Sequence, residues 1–326
     1  MAAEPVKTLE EIKKERLIDN LLRDDMKEFI PYLEDDKITD IAVTDSGEII
    51  ITKWGEGRTF TGKIVPTYIT ERIIKATAFI NGKTLESYTG FPVLEGTIPK
   101  YDARITGLMP PNVVRAELQI RKPPKQIFTL EEYVKKGAMT KKQYDQIIKI
   151  IKNRKNIIIA GATGSGKTTF ANAVIQKMVE LTPDENFYII EDNAELQCKA
   201  KMKTMLLIHK EDAAKAVTES LRFSPDRIIF GEVRTGEVMR ELLDAWKTGH
   251  SGCLTTFHAN DGASTLLRIK GLISKYDSET AEHLSEVIHN VIHLKRVNDK
   301  VKINEIYNVT EETDDFLAGI IQHNLA

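Results

Sequence analysis

A glycine-rich loop between an apolar strand and a helix constrains the fold of this chain more than any other feature. The loop is residues 161–168, the apolar run before it is residues 156–160, and a helical pattern of apolar residues follows it. Glycines let consecutive backbone N–H groups turn toward phosphate oxygens, and the N-terminus of the following helix adds a favourable dipole. A tight turn alone would not require lysine and threonine at the start of the helix. The spacing therefore predicts an α/β domain that binds a nucleoside triphosphate.

The last residues of this loop have expected partners on the nucleotide. Lys167 is placed to reach the β- and γ-phosphates, and Thr168 is placed to offer its hydroxyl directly to Mg²⁺. The sequence has no Asn-Lys-x-Asp tetrapeptide of the kind that reads guanine, so ATP is favoured over GTP. The expected cofactors are therefore ATP and Mg²⁺. The predicted nucleotide-binding residues are Gly161, Ala162, Thr163, Gly164, Ser165, Gly166, Lys167, Thr168 and Thr169.

Composition places the chain among globular proteins without a membrane or nucleic-acid signature. Its 326 residues carry a formal net charge of −2, which gives no global attraction to nucleic acid or anionic lipid. Apolar runs are strand-sized and the start of the chain is too charged for a secretory signal, so we expect a cytoplasmic protein. Cys198 and Cys253 are too few and too isolated for a disulfide framework or a zinc site.

Changes of pattern divide the chain into two folded parts. Strand and helix patterns are mixed before residue 121, whereas strands and helices alternate after residue 156, which is typical of a mainly parallel sheet. Between the two parts, two adjacent prolines deny ladder hydrogen bonds and stiffen the chain. The predicted organisation is a loose N-terminus (1–8), a smaller α+β domain (9–121), a proline-containing linker (122–128) and a P-loop α/β domain (129–326).

The smaller domain carries arginines that are candidates for phosphate contact. Residues 114–121 alternate apolar and polar side chains, which predicts one buried face and one face with Arg115 and Arg121. Arg104 precedes them in the same domain. The planar guanidinium suits phosphate oxygens because it can donate two parallel hydrogen bonds. A solvated strand face with local ion pairs is the open alternative for all three arginines.

A second apolar strand ends in a carboxylate. Residues 227–232 are predicted to form a buried strand that ends at Gly231 and Glu232. ATP hydrolysis needs an oriented water and compensation of the charge on the transferring phosphoryl group. Because Gly231 stands where an aspartate is usual, we expect Glu232 to act on Mg²⁺ through water or as a general base. An exposed acid after a buried strand is the alternative.

A third strand, residues 186–190, leads into an acidic loop. Glu191, Asp192 and Glu195 follow it in quick succession. Either Glu191 or Glu195 is suited to hold the hydration shell of Mg²⁺ or to orient a water, and their spacing does not decide between them. A solvated loop is the other interpretation of the same residues.

Two histidines bracket the strand predicted at residues 253–257. His250 precedes this strand and His258 follows it. An imidazole at a strand end can sense the γ-phosphate or hydrogen-bond a catalytic carboxylate, although a lone histidine is more often a packing residue. Metal ligation is not expected, because no carboxylate or cysteine stands at ligand spacing from either ring.

Four motifs of the C-terminal part resemble the Walker A, acidic, Walker B and histidine boxes of the type II and type IV secretion ATPases, in the same order. They are GATGSGKTT (161–169), IIEDNAELQC (189–198), LRFSPDRIIFGEVR (221–234) and GHSGCLTTFHAN (249–260). The N-terminal part is similar to the conjugative-transfer ATPases of the TrbB type. The similar segments are ARITGLMPPN (103–112), AELQIRKPP (116–124) and FTLEEYV (128–134).

This resemblance implies a fold and an assembly. It implies a RecA-like P-loop domain after the smaller domain, with ATP held in a cleft between the two. It also implies a homohexameric ring that converts hydrolysis into conformational work on inner-membrane components of a secretion or conjugation apparatus. The expected location is the cytoplasmic face of the inner membrane, with peripheral membrane association at most.

The resemblance also assigns roles to single residues. Glu232 becomes the Walker B carboxylate and His258 the principal histidine of its box. Glu191 and Glu195 become the acidic box, with Glu191 and Glu232 close to Mg²⁺ through water. The phosphate-contacting arginines of the N-terminal domain fall on Arg104 and Arg121, which leaves Arg115 as the weaker candidate. The chain departs from many relatives at position 193, where asparagine replaces proline or threonine.

Other functions remain open at this point. A type IV pilus or type II secretion assembly ATPase is the first alternative, although the sequence lacks both a four-cysteine metal subdomain and the retraction-motor signature Ala-Ile-Arg-Asn-Leu-Ile-Arg. A nucleic-acid translocase is less favoured, because no lysine-arginine stripe with interleaved aromatic residues and no dedicated nucleic-acid-binding motif is present. A scaffold that does not hydrolyse ATP is disfavoured by Lys167, Thr168 and Glu232.

Overall fold

The computed structural model describes residues 9–53, 56–83, 93–123, 127–297 and 300–325. The chain forms two compact units, and the boundary between them falls between residues 126 and 127. We call them unit 1 and unit 2. The predicted loose N-terminus (1–8) and residues 124–126 of the predicted linker lie outside the described residues.

Unit 1 is an antiparallel sheet with helices packed on one face. Its strands are β1 (Ile38–Val43), β2 (Glu48–Lys53), β3 (Gly57–Ile64), β4 (Val93–Ile98), β5 (Ala103–Leu108) and β6 (Glu117–Arg121), and its helices are α1 (Leu9–Asn20), α2 (Ile30–Glu34) and α3 (Thr67–Ile80). Among the described residues the strand order is β3-β2-β1-β6-β5-β4. Helix α3 lies close against β5, where a Cβ on Gly107 would be 2.6 Å from the Ile74 side chain. The alternating strands thus bury one face and leave the other to polar side chains.

The last strand of unit 1 begins later than its alternating pattern predicts. The prediction placed a strand over residues 114–121, but β6 begins at Glu117 and the side chain of Val114 is 93% exposed. Pro110 and Pro111 lack backbone N–H groups, so the chain leaves β5 in a loop and pairs again only after Ala116.

Unit 2 is a mainly parallel sheet covered by helices on both faces. Its strands are β7 (Ile157–Gly161), β8 (Asn186–Glu191), β9 (Met202–Leu207), β10 (Arg227–Glu232), β11 (Leu254–Phe257), β12 (Asn290–Val297) and β13 (Lys300–Asn308), and its helices are α4 (Leu130–Lys135), α5 (Lys141–Lys152), α6 (Lys167–Leu181), α7 (Ala213–Ser220), α8 (Gly236–Lys247), α9 (Gly262–Ile273), α10 (Ser278–Glu282) and α11 (Glu311–Leu325). In the described residues the order is β13-β12-β7-β11-β10-β8-β9, with β13 antiparallel to β12 and the other neighbours parallel. The predicted α/β fold class is confirmed.

Two helices of unit 2, α4 and α5, begin at capping boxes. Thr129 and Thr140 each form a capping box, with Glu132 and Gln143 respectively. The edge strand β9 was not predicted, because its pattern is not that of a buried strand. Met202 is 58% exposed and Leu207 is 62% exposed, so this apolar segment gains regular structure from pairing with β8 rather than from burial.

The amino end of the unit 2 sheet is closed by a buried charge network. The Arg227 side chain is fully buried and its Nε donates to Glu185, while Nη1 donates to the Gly252 carbonyl at 2.8 Å. Arg154 donates to the other oxygen of Glu185 and, at 2.7 Å, to the Asp226 carbonyl. These contacts tie together the loops that enter β8, β10 and β11.

Candidate active site

The carboxyl ends of β7, β8, β10 and β11 meet at one edge of the unit 2 sheet, because these strands are parallel. The glycine-rich loop leaves β7 there and enters α6. Gly166 precedes the helix with a φ of 89°, a left-handed conformation that glycine adopts without a Cβ penalty. Lys167 is the first residue of α6, so its position depends directly on this turn.

Lys167 is buried and makes contacts inside the loop and beyond it. Its ammonium donates to the carbonyl oxygens of Gly161 at 3.0 Å and Ala162 at 3.1 Å. Nδ1 of His258 lies 3.1 Å from the same Nζ. Since an ammonium has no lone pair, Nδ1 must be the acceptor in this contact.

His258 connects the P-loop lysine to the carboxylate at the end of β10. Its Nε2 lies 2.8 Å from Oε1 of Glu232. Because Nδ1 accepts from Lys167, Nε2 carries the proton and donates it, which fixes a neutral tautomer. Burial and the charge of Lys167 lower the pKa of His258 and favour this neutral form. Lys167, His258 and Glu232 therefore form a continuous hydrogen-bonded chain.

The loop that carries His258 is held on the side of α9. The guanidinium of Arg268 donates to the His258 carbonyl at 2.6 Å. Asp261 caps α9 by accepting from the Ser264 N–H at 2.6 Å, and Glu305 of β13 accepts from the Gly262 N–H at 2.6 Å. These contacts hold in place the backbone of the loop that carries the imidazole.

Glu191, at the end of β8, is the buried carboxyl of the acidic loop. Its Oε2 accepts hydrogen bonds from the N–H groups of Glu195 and Leu196, each at 2.9 Å. Burial raises the pKa of Glu191 to about 7, against the lowering effect of these two hydrogen bonds. Glu191 therefore keeps its proton to a higher pH than an exposed glutamate does.

Gly231 allows β10 to lie beside this carboxyl. A Cβ at position 231 would come within 3.0 Å of the Cβ of Glu191, which is tighter than most Cβ contacts in proteins. Because position 231 is glycine, the carboxyl group of Glu191 on the neighbouring strand β8 can lie beside β10.

Glu195 is held differently from Glu191. Its backbone carbonyl accepts from the side-chain amide of Asn172 at 3.0 Å, and Asn172 also accepts from the Gln197 N–H at 2.8 Å. Asn172 lies on α6, so the acidic loop is attached to the helix that begins with Lys167. Sequence analysis missed Asn172; a buried amide on an otherwise apolar helix face is the signal that could have indicated it.

Arg234 is a second residue that sequence analysis missed. Its Nε donates to Oε2 of Glu232 at 2.7 Å and its Nη1 donates to Oδ2 of Asp192 at 2.6 Å. Residues two apart at a strand end project to the same side, so its position two residues after Glu232 was an available signal. The sequence-based interpretation noted Asp192 only as part of an acidic cluster.

The donor set suits a magnesium ion that is shared with phosphate oxygens. Thr168 follows Lys167, and the hydroxyl of Ser165 is buried without a hydrogen-bond partner in the described structure. Within the described ranges, no group of three His, Cys, Asp or Glu residues could hold a metal on its own. Magnesium commonly keeps several waters and uses few protein ligands beside substrate phosphates, so these residues fit it.

In unit 1, Arg104 and Arg121 lie directly opposite each other on β5 and β6. Directly opposed like charges are unfavourable, and Nε of Arg121 is 3.0 Å from the carboxylate of Asp40 on β1. Arg115 lies apart from this pair, in the loop before β6, and its Nη1 is 3.4 Å from the Asp45 carbonyl. The structure therefore brings together two of the three candidate arginines.

The histidine that precedes β11 lies away from the carboxyl end. His250 precedes β11 at the opposite end of the sheet, with Nδ1 3.0 Å from the Ala245 carbonyl. Both Cys198 and Cys253 are buried free thiols, and burial raises the pKa of Cys253 to about 12.

Among the described residues, no helix combines the length and apolarity needed to cross a membrane.

Comparison with known proteins gives the family. A family model described as "Type II/IV secretion system protein" matches residues 94–317. The probable conjugal transfer protein TrbB of Sinorhizobium fredii is 34% identical over 279 residues, which are 85% of this chain and 85% of that protein. The chain belongs to this type II/IV secretion family. Family membership and the assembled P-loop site make it an ATPase, with a nucleotide as substrate.

A more distant relative is similar in sequence, and a solved structure is similar in fold. The type IV secretion system protein VirB11 of Bartonella henselae is 28% identical, covering 66% of this secretion ATPase and 73% of the relative. The crystal structure of the ATPase DotB of Legionella pneumophila has the same fold, with a TM-score of 0.64, 20% identity, and coverage of 98% of this chain and 86% of that one.

Proposed function

We propose that this protein is the ATP-hydrolysing motor of a type IV secretion or conjugative transfer apparatus. The observation that carries the proposal is the chain from Lys167 through His258 to Glu232 at the mouth of the P-loop. The similarity to TrbB over most of both chains favours conjugative transfer over a pilus or type II secretion system.

The first step of the proposed mechanism is an exchange of partners by Lys167. The ammonium leaves Nδ1 of His258 and the loop carbonyls for the β- and γ-phosphates of ATP. Phosphate oxygens are stronger acceptors than carbonyls because the hydrogen bond is then charge-assisted on both sides. His258 keeps its donor bond to Glu232, so the carboxylate retains its orientation as the nucleotide enters.

Glu232 then orients the attacking water and accepts its proton as the bond to the γ-phosphorus forms and the bond to the β–γ bridging oxygen breaks. Thr168 is the proposed direct ligand of Mg²⁺, with Glu191 and Glu232 acting through water. When bound, Mg²⁺ would compensate the negative charge of the β- and γ-phosphates. Glu191 is better suited to this role than Glu195, because it lies at the end of β8 beside Gly231 and its Oε2 is held by the N–H groups of Glu195 and Leu196.

Arg104 and Arg121 are the proposed γ-phosphate contacts of unit 1. The two guanidinium groups repel each other across neighbouring strands, and a bound anion would relieve this repulsion. Together the two groups can donate hydrogen bonds to several phosphate oxygens. In this proposal ATP draws the two units together and hydrolysis releases them. Differential affinity for ATP and ADP then drives the motion.

The remaining proposals concern assembly and location. We propose a homohexamer at the cytoplasmic face of the inner membrane, working on membrane components of the transfer apparatus. The family and the TrbB relative support this assignment.

The decisive experiment measures ATP turnover over a protein concentration series, with molecular mass determined in parallel and single-stranded DNA added or withheld. A secretion motor is expected to turn over faster as hexamers form and to ignore DNA. Strong stimulation by DNA would instead support a translocase.

Glu232→Gln should lower turnover by about 10²-fold or more and keep ATP binding.

The arginine proposal has a matched control in the same unit. Arg104→Ala and Arg121→Ala should each lower turnover at least tenfold, a lower bound that lies below the ~10³–10⁵-fold effect of a transition-state arginine on phosphoryl transfer. Arg115→Ala removes an exposed arginine that lies apart from the pair and should leave turnover unchanged. Equal turnover in all three variants would contradict the proposed contact.

A further inference from the structure

Arg234 bridges two loops that leave different strands. It follows Glu232 at the end of β10, and Asp192 follows β8. The guanidinium donates through Nε to Glu232 at 2.7 Å and through Nη1 to Asp192 at 2.6 Å. One planar group thus binds two carboxylates whose backbones belong to separate elements.

Both oxygens of the Glu232 carboxylate are engaged. Oε1 receives Nε2 of His258 at 2.8 Å, and Oε2 receives Nε of Arg234 at 2.7 Å. Two directional contacts on two oxygens define the plane of the carboxylate as well as its position. His258 alone would leave the group free to rotate about its Cγ–Cδ bond.

Asp192 is itself held in place. Its Oδ1 accepts from the side-chain amide of Asn193 at 2.9 Å, while Oδ2 accepts from Arg234. The Arg234 side chain is 39% exposed and the Asp192 side chain is 19% exposed, so the pair lies at the rim of the site. An exposed arginine without this second carboxylate would lose rotamer freedom for a single hydrogen bond.

We propose that Arg234 is a positioning residue for ATP hydrolysis: its guanidinium holds the Glu232 carboxylate in the orientation that directs water, and Asp192 holds the guanidinium. The inference rests on the proposed role of Glu232. Arg234 acts through that carboxylate and not on the nucleotide, so its loss should lower kcat and leave KM for ATP nearly unchanged. Lysine cannot replace it fully, because an ammonium lacks the planar fork that spans both carboxylates.

The test compares three single variants, Arg234→Ala, Arg234→Lys and Asp192→Asn, by steady-state kinetics. It also includes the double variant that combines Arg234→Ala with Asp192→Asn. Arg240→Ala is the matched control, since Arg240 is 36% exposed and also pairs with a glutamate, but on the outside of α8. We expect Arg234→Ala to lower kcat about 10- to 100-fold with KM changed less than about threefold. Asp192→Asn should lower kcat less than Arg234→Ala does. The kcat of the double variant should be no lower than that of Arg234→Ala alone.

Chemical rescue separates positioning from structural damage. Guanidinium ion at millimolar concentration should restore part of the kcat lost in Arg234→Ala and should not affect the Arg240→Ala control. A kcat within twofold of wild type in Arg234→Ala, additive losses in the double variant, or no rescue would each overturn the inference.

Including Glu232→Gln in the same series distinguishes the two proposals. If Glu232→Gln is inactive and Arg234→Ala is normal, only the positioning inference fails. If Glu232→Gln turns over like wild type, the proposed role of Glu232 fails and the inference fails with it.

Discussion

The two ends of the unit 2 sheet both hold buried charges, but they hold them in opposite ways. At the amino end, Arg227, Arg154 and Glu185 bond to each other and to loop carbonyls. At the carboxyl end, the ring of His258 lies between the buried ammonium of Lys167 and the Glu232 carboxylate, while Arg234 pairs with Glu232 from the rim of the site. The first network joins its buried charges directly, whereas in the second a neutral imidazole separates the buried lysine from the carboxylate.

Burial of charge thus serves stability at the amino end of the sheet and chemistry at the carboxyl end. The contacts of Arg227 are needed in every state of the protein, because a buried guanidinium without its carboxylate is very costly. In the proposed mechanism the contacts of Lys167 are temporary, since carbonyls and an imidazole are exchanged for phosphate oxygens. We therefore expect substitutions at the two ends to separate stability from turnover.

The largest expected effect is a loss of turnover in Lys167→Met. Removal of the ammonium takes away the charge that compensates the transferring phosphoryl group, and kcat should fall about 10³-fold. The free energy of unfolding should change little. Lys177→Met, on the same helix, is the control and should hydrolyse ATP normally. Turnover within tenfold of wild type in Lys167→Met would contradict the proposed site.

The next effect is a loss of stability in Glu185→Gln. This change leaves the fully buried Arg227 without its counter-charge, which costs about 3–5 kcal/mol in comparable buried pairs. Urea unfolding measures the loss, and kcat per folded molecule should stay at the wild-type value. Glu180→Gln serves as the control, because that glutamate is half exposed. A large drop in kcat of the folded fraction would show that the ends are not independent.

A pH effect on stability should also map to the amino end. His289 accepts from the Asn156 N–H at 3.1 Å, and burial followed by the Lys155 charge lowers its pKa from 6.5 to about 4. The neutral ring therefore stabilises the fold above pH 6.5, and this stability is lost as pH falls toward 4. The loss should be about 2–3 kcal/mol and should be absent in His289→Asn. The exposed His283, changed to Asn, is the control; an unchanged pH dependence in His289→Asn would contradict the assignment.

The smallest effect belongs to a pair at neither end. Partial burial raises the pKa of Glu131, but hydrogen bonds from Lys177 and Tyr144 outweigh it and lower the pKa from 4.5 to about 2. The pair therefore stabilises the fold above pH 4.5, and its contribution is lost as pH falls toward 2. Because Glu131 is half exposed, Glu131→Gln should cost about 1 kcal/mol or less at pH 7, with unchanged turnover. Equal pH dependence of unfolding in wild type and Glu131→Gln would refute this pair.

Much of the fold follows from local sequence signals. Buried parallel strands such as residues 227–230 are continuous apolar runs, and the helices after them begin at capping residues, so both were predictable. Edge strand β9 and the late start of β6 were not predictable in the same way. The first depends on pairing with β8, and the second on where a loop rejoins the sheet.

The site residues also divide into those with a local sequence signal and those that depend on the tertiary structure. Lys167, Glu232 and His258 are indicated by strand ends and loop chemistry, and the parallel order of the strands brings them together. Arg234 has no motif of its own, and its role depends on the distance between two strand ends. His250 has the same residue type as His258 but precedes its strand, so the direction of β11 alone separates it from the site.

Gly231 and Glu191 also set a constraint on how this chain can diverge. A side chain at position 231 would press within 3.0 Å of the Glu191 side chain on the adjacent strand. Because this contact is with the Cβ of residue 191, every residue there except glycine would meet it, and aspartate at position 231 would require β8 and β10 to shift by a few tenths of an ångström. The spacing of the two strands, more than the size of residue 191, therefore limits which residues position 231 can acquire.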